Sequence, residues 1–177
     1  MIKQESTLIN FASTTPTEDI FPIDDIKFAI NEVLDRDKGM AFTYQENQGY
    51  YSLRNSIKNY LSENQINTTE DDIQIISGAQ QGIDILSKAL IDYGDVVFVE
   101  NPTYSGAIPV FKSRSARIID IGMENDGINI IDLENKLRSF KPKFIFVMPI
   151  FQNPTGYSYS LNKKYQLLDL DNKYDFY

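Results

Sequence analysis

Three short stretches hold the residues with chemistry in them: Ser77-Gly78-Ala79-Gln80, Asn101-Pro102-Thr103-Tyr104 and Gln152-Asn153-Pro154-Thr155-Gly156. The apolar run Ile73 to Ile76 reads as a strand that stops at Ser77-Gly78, where a helical pattern begins at once. A strand entering a helix through a glycine aims unpaired backbone N–H groups and the positive end of the helix dipole at one point. That point suits an anion such as a phosphate. Alternatively, Gly78 does no more than make the tight turn. Tyr104 stands just beyond the C-terminal end of a second strand, Val96 to Glu100, where ligands of open α/β sheets collect. Asn153, followed by proline, is by its type also a turn former.

Composition restricts what these residues do. The 177-residue chain has no cysteine and no histidine, which excludes disulfides, thiol chemistry, zinc sites of the usual ligands and imidazole acid–base catalysis. Lysine, tyrosine, carboxylates or a borrowed cofactor remain. Seventeen basic against 25 acidic residues give a net charge of −8, which argues against a nucleic-acid partner. No apolar signal core opens the chain and no eighteen apolar residues run together, so the expectation is a soluble, cytoplasmic protein with no membrane partner. Neither a G-x-G-x-x-G after a strand nor a Walker loop is present.

The elements that must position the motifs follow from periodicity. Met1 to Thr17 is a polar arm with an apolar knot at Leu8, Ile9 and Phe11. A helix is expected from Pro22, with Ile23, Ile26, Ala29, Ile30 and Val33 on one face, ending at Asp37-Lys38-Gly39. Ala41 to Tyr51 reads as a polar, aromatic loop, and Leu53, Ile57 and Leu61 mark a second helix. The polar connector Asn64 to Asp72 divides an N-terminal arm with helices, residues 1–63, from a main domain, residues 64–177. There, Ile83, Leu86, Leu90 and Ile91 predict a helix with Gly94 as its C-cap. A short helix at Ala107 to Phe111, an apolar run at Arg117 to Ile121 and a turn at Asp126-Gly127 come next. Asp132 is expected to cap a helix built on Leu133 and Leu137, and Lys143 to Met148 to be a strand buried on both faces. Ser160 caps a helix from Leu161 to about Asn172, and Asp175 to Tyr177 stands where a further strand is due. Strands alternating with helices imply an α/β fold around a parallel sheet.

These motifs, SGAQQGID at 77–84, ENPTYSG at 100–106 and FQNPTGYS at 151–158, resemble the large domain of fold-type-I pyridoxal-phosphate enzymes, the class I/II aminotransferases. Residues 11–37 and 44–61, FASTTPTEDIFPIDDIKFAINEVLDRD and YQENQGYYSLRNSIKNYL, are closer still to the aminotransferase-like half of MocR-type GntR regulators and their enzyme relatives. The resemblance runs from about Ile9 to Tyr177. It implies the three-layer fold of that transferase family, pyridoxal 5'-phosphate as cofactor, an amino acid and a 2-oxo acid as substrates, and a homodimer. It further implies that Gly78, Ala79 and Gln80 hold the cofactor phosphate through backbone amides and that Tyr104 stacks on the pyridine ring. Asn153 would donate to the phenolate oxygen, and Tyr44, in a loop with Gly49, would reach the phosphate across the dimer interface.

The resemblance also places the Schiff-base lysine, the aspartate facing the pyridine nitrogen and the carboxylate-binding arginine beyond Tyr177. Lys88 lies in the second half of a helix, Lys143 opens a strand at the end opposite the site, and Lys163, Lys164 and Lys173 lie on or beside a polar helix face. The expectation is therefore an N-terminal fragment, inactive alone. Its parent would be an aminotransferase or, alternatively, a regulator whose effector domain senses an amino compound through the same cofactor; a third reading is an inactive truncated gene product. In the family's sheet order, the Ile73 to Ile76 strand would lack its partner and Lys143 to Met148 would present an open edge. The isolated chain would then be prone to aggregation, or partly ordered, with residues 96–156 best protected.

Overall fold

The computed structural model describes residues 16–177; the apolar knot at Leu8, Ile9 and Phe11 lies outside the described residues. Helix α1, Ile23–Asp37, follows Pro22, carries Asp24 and Asp25 in its first turn, and stops where Lys38 takes φ 50°. A 3-10 turn, Lys38–Phe42, and a loop lead to α2, Tyr51–Glu63. Ile73 to Ile76 pairs with no strand among the described residues, where a strand was expected. Its backbone is engaged instead by the loop before α2, with Ile75 N donating to Gln48 O at 2.9 Å. A strand is defined by its partner, and among the described residues a loop lies in that place.

Helix α3, Ala79–Leu90, ends four residues before Gly94. Ile91 leaves the helix in an extended conformation, which seats its side chain in the core. Gly94, at φ 84°, then turns the chain, its N–H donating to Ser115 O, and is not the cap. Strands β1 (Val96–Asn101), β2 (Arg117–Glu124), β3 (Gly127–Ile128) and β4 (Pro142–Phe146) form one sheet in the order β3-β2-β1-β4. β1 is central and parallel to both neighbours, with Phe98 opposite Ile119 and Ile145. The sheet is mixed rather than wholly parallel, because Asp126-Gly127 folds β3 back antiparallel along β2. Gly127 is needed at this turn: its φ is 136°, and a Cβ there would sit 3.0 Å from the Tyr159 ring.

Alternation along β1 divides the core between the two faces of the sheet. Phe98 joins Ile121, Ile128, Leu133, Leu137, Tyr159 and Leu170 under α5 (Ile130–Leu137) and α6 (Leu161–Tyr174). Val97 and Val99 join Ile91, Ala107 and Phe111 under α3 and α4 (Ala107–Ser113), where Phe111 meets Phe144 and Phe146 edge to face at 5.6 Å. The cap of α5 is Asn129, which accepts from Asp132 N at 2.8 Å; the expected cap, Asp132, instead accepts from Gly122 N and Lys136 Nζ. The helix begins at Ile130, so Asp132 falls inside its first turn. Ser160 does cap α6, accepting from Lys163 N.

β4 is half-buried rather than buried on both faces. On its outer side an apolar cleft of about 270 Å³ lies between Ile83, Leu86 and Leu90 of α3 and Phe144, Phe146 and Tyr177. No strand forms at Asp175 to Tyr177, because α6 continues to Tyr174. Tyr177 nevertheless lies alongside β4, accepting from Ile145 N at 2.7 Å. Among the described residues no helix is long and apolar enough to cross a membrane.

Candidate functional site

The C-terminal ends of the parallel strands and the N-terminus of α3 gather the motif residues around two loops. Gly78 takes φ 85° and ψ 164°, a conformation costly for any residue with a Cβ, although space around it is open. Backbone geometry, not crowding, requires glycine here. Having no side chain, Gly78 caps nothing, and the first helical bonds run from Gln81 N and Gly82 N to Gly78 O. The amides of Ala79 and Gln80 precede them in the exposed first turn, aimed along the helix axis toward whatever anion is offered.

Gln80 contributes more than its backbone. Its side-chain amide donates to Gly106 O at 2.9 Å, and its carbonyl accepts from the Tyr104 hydroxyl at 3.2 Å. These two bonds join the α3 N-terminus to the loop after β1. The Tyr104 ring is half-buried and crosses Gly106 so closely that a Cβ there would stand 2.5 Å from it. The loop is further held by Asn101 Nδ2 donating to Asp120 at 2.9 Å, and its Asn101-Pro102 peptide bond is cis. Thr103 Oγ1, next to Tyr104, is buried without a hydrogen-bond partner.

Asn153 is exposed in the loop after β4 and is cis to Pro154. Beneath it lies a buried polar cluster. Glu100, 1 % exposed at the end of β1, accepts from the Tyr159 hydroxyl at 2.6 Å, from Gln152 Nε2 at 3.0 Å and from Met148 N at 3.2 Å. Burial, and then the bond to Glu100, push the Tyr159 hydroxyl far above its ordinary range, so it stays protonated and remains a donor. Gln152 also donates to Pro102 O at 2.7 Å and accepts from Thr155 N and Oγ1.

Tyr44, fully exposed, is not brought against the other motif residues by any contact within the described chain. Its loop is held by Arg54, 2 % exposed, which donates to Gly49 O, Gln48 Oε1, Glu70 O and Glu46 Oε2 at 2.7 to 3.2 Å. Lys143 pairs with Asp95 at the opposite ends of the strands, and Lys88 pairs with Asp84 along α3. Sequence reasoning singled out Tyr104 and Asn153 but not the side chains beneath them, Glu100, Gln152 and Tyr159. The available signal was an acidic residue closing the apolar run Val96 to Val99. Arg54 carried no comparable signal.

The family model described as Aminotransferase class I and II matches residues 6–177. The chain is 31% identical to aromatic-amino-acid aminotransferase 1 of Thermococcus litoralis, over 98% of this chain and 43% of that protein. It is 30% identical to the uncharacterized HTH-type transcriptional regulator YcxD of Bacillus subtilis, over 96% of this chain and 38% of that protein. Among solved structures, α-aminoadipate aminotransferase LysN of Thermus thermophilus, complexed with N-(5'-phosphopyridoxyl)-L-leucine, is similar at a TM-score of 0.85 and 29% identity, covering 94% of this chain and 41% of that one. The chain thus spans roughly four-tenths of the length of the curated relatives it matches.

Proposed function

The chain belongs to the class I and II aminotransferases, and from that membership we propose that it contributes one part of a pyridoxal 5'-phosphate site in a protein that moves an amino group between an amino acid and a 2-oxo acid. The observation that carries this reading is the uncapped start of α3 beside the Tyr104 ring, the two joined by Gln80. A phosphate fits the free amides of Ala79 and Gln80, and an aromatic ring fits the face of Tyr104, where stacking contributes about 0.5–1.5 kcal/mol beyond burial. The unpartnered Thr103 hydroxyl lies in the same loop, which suits a polar ligand. Asn153 would donate a hydrogen bond to the ring oxygen. When bound, the cofactor supplies the electron sink that amino-group exchange requires. In this reading the protein is a homodimer, with Tyr44 of one copy completing the phosphate site of the other. That arrangement gives the exposed side of α1 and the exposed Tyr44 a covering surface.

The similarity to YcxD supports a second reading, in which the same site senses an amino compound for a transcription regulator. The DNA on both sides of the gene separates the two: an upstream reading frame for a basic winged helix selects the regulator. The cofactor site itself is tested with pyridoxine 5'-phosphate, which has no aldehyde and so cannot label lysines at random. Calorimetric titration should show saturable binding that weakens at least about tenfold in Gly78→Val and in Tyr104→Ala, and survives in Tyr104→Phe. Equal affinity in all four proteins would overturn the proposal.

A further inference from the structure

Glu100 and Gln152 are 52 residues apart, and both are about 1 % exposed. Neither touches the surface where Tyr104 and Asn153 are displayed. Gln152 nevertheless bonds in both directions. Its amide reaches Pro102 O, at the base of the Tyr104 loop, and its carbonyl holds Thr155 N and Oγ1, within the Asn153 loop. Its backbone closes the second loop as well, with Gln152 N donating to Tyr157 O at 2.8 Å and Gly156 N donating to Gln152 O at 2.6 Å. The other amide hydrogen goes to one oxygen of Glu100, whose second oxygen accepts from Tyr159 and Met148 N. A primary amide has two donors and one two-lone-pair acceptor, and here all four positions are used. That saturation fixes which way the amide faces: turned over, it would set its NH2 against Thr155 N and its oxygen against Glu100.

We propose that Gln152, oriented by the buried Glu100, is a positioning residue that sets the separation of the Tyr104 and Asn153 loops and thereby the width of the slot for an aromatic ligand ring. The inference rests on the proposed cofactor site for its ligand, but the link between the loops is a property of the chain alone. The bonds cross from the end of β1 to the loop after β4, two neighbouring strands of the sheet. A shift of either loop therefore breaks a part-buried bond to a side chain that is itself about 1 % exposed. No bond of Gln152 goes to the α3 amides, which meet the Tyr104 loop through the Gln80 side chain, so holding a phosphate depends on Gln152 far less than the ring slot does.

Two measurements decide the matter. In Gln152→Met, which keeps the volume and removes the bonds, amide hydrogen exchange in 103–107 and 153–157 should quicken by about tenfold or more, while exchange in 97–99 is unchanged. Affinity for pyridoxine 5'-phosphate should fall by about tenfold, while inorganic phosphate binds as in the parent chain. Glu100→Gln, a second variant for the case that Gln152→Met fails to fold, keeps the shape but leaves one donor facing another, and both loops should again exchange faster together. Quickening confined to one loop, or none, overturns the inference. So does an equal loss of affinity for both ligands, which would mean general damage. If the parent chain binds no pyridoxine 5'-phosphate, the cofactor reading fails and the exchange data still decide whether Gln152 couples the loops.

Discussion

Helix α1 displays Ile23, Ile26, Ile30 and Val33 along one side, and all four are exposed; helix α5 displays Leu133 and Leu137, and both are buried. The two helices have the same kind of amphipathic pattern and opposite fates. α5 lies on β2 and closes the core around Phe98 and Ile121. α1 packs mainly against the turn that follows it, and none of its residues is buried. What holds residues 44–75 together is polar: Arg54 ties the loop of Tyr44 to the turn at Glu70, and Gln48 O receives Ile75 N. The two parts of the chain are therefore of unequal construction. Tyr104 and Asn153 stand over a buried network anchored in the sheet, whereas Tyr44 hangs from a hydrogen-bonded cluster near water. Apolar periodicity marks a surface that is able to be buried, and burial itself requires a second surface.

The sharpest way to break this contrast is to cut into each half. Phe98→Ala removes a fully buried ring and should cost about 3–5 kcal/mol, read as a shift in the urea unfolding midpoint. Tyr159→Phe should come next, at about 1.5–3 kcal/mol, because it takes one donor from a buried carboxylate. It also carries a pH signature. The folded chain holds the Tyr159 proton more tightly than the unfolded chain does, because of burial first and Glu100 second. That stabilisation is complete below the ordinary tyrosine range, near pH 10, and declines as pH rises above it. Unfolding titrations from pH 8 to 11 should show a fall for the parent chain that is shallower in Tyr159→Phe; equal slopes would remove Tyr159 from the account.

Arg54→Met should cost about 1–3 kcal/mol, since Gly49 O and Glu70 O lose their donor while Glu46 and Asp71, both exposed, return to water. The loss should be local: hydrogen exchange quickens in 46–54 and 70–75 and not in β1. Quickening throughout the chain would show that the two halves unfold as one unit. The smallest effect is expected from Ile26→Ala, within about 0.5 kcal/mol at low protein concentration. A larger loss that grows with protein concentration would show that a second copy covers α1.

Much of the architecture was legible in local pattern. The strand Val96 to Glu100, the helices after Pro22, Gly78 and Ser160, and the Asp126-Gly127 turn are each specified by neighbours within a few residues. Steric limits and caps act over that range. The conformation of Gly78 and the placing of Tyr104 just past β1 belong to the same class. The expectations that failed depend on distant partners. Ile73 to Ile76 has strand composition and forms no strand, its partner being absent among the described residues as the family's sheet order implied; the Lys143 to Met148 run is not buried on both faces but keeps the open side that the same order implied; and Asp132 bonds to Gly122 instead of capping its helix.

Local pattern along the chain specifies which segments coil, extend or turn, and which side chains are available for an anion and an aromatic ring. Which of those segments finds a partner, and the meeting of Glu100 with Gln152 and Tyr159 across 52 and 59 residues of chain, emerge with the folded packing. The reason is the reach of the forces. Backbone sterics and capping act between neighbours, while burial and the pairing of buried polar groups exist only once the chain has closed on itself.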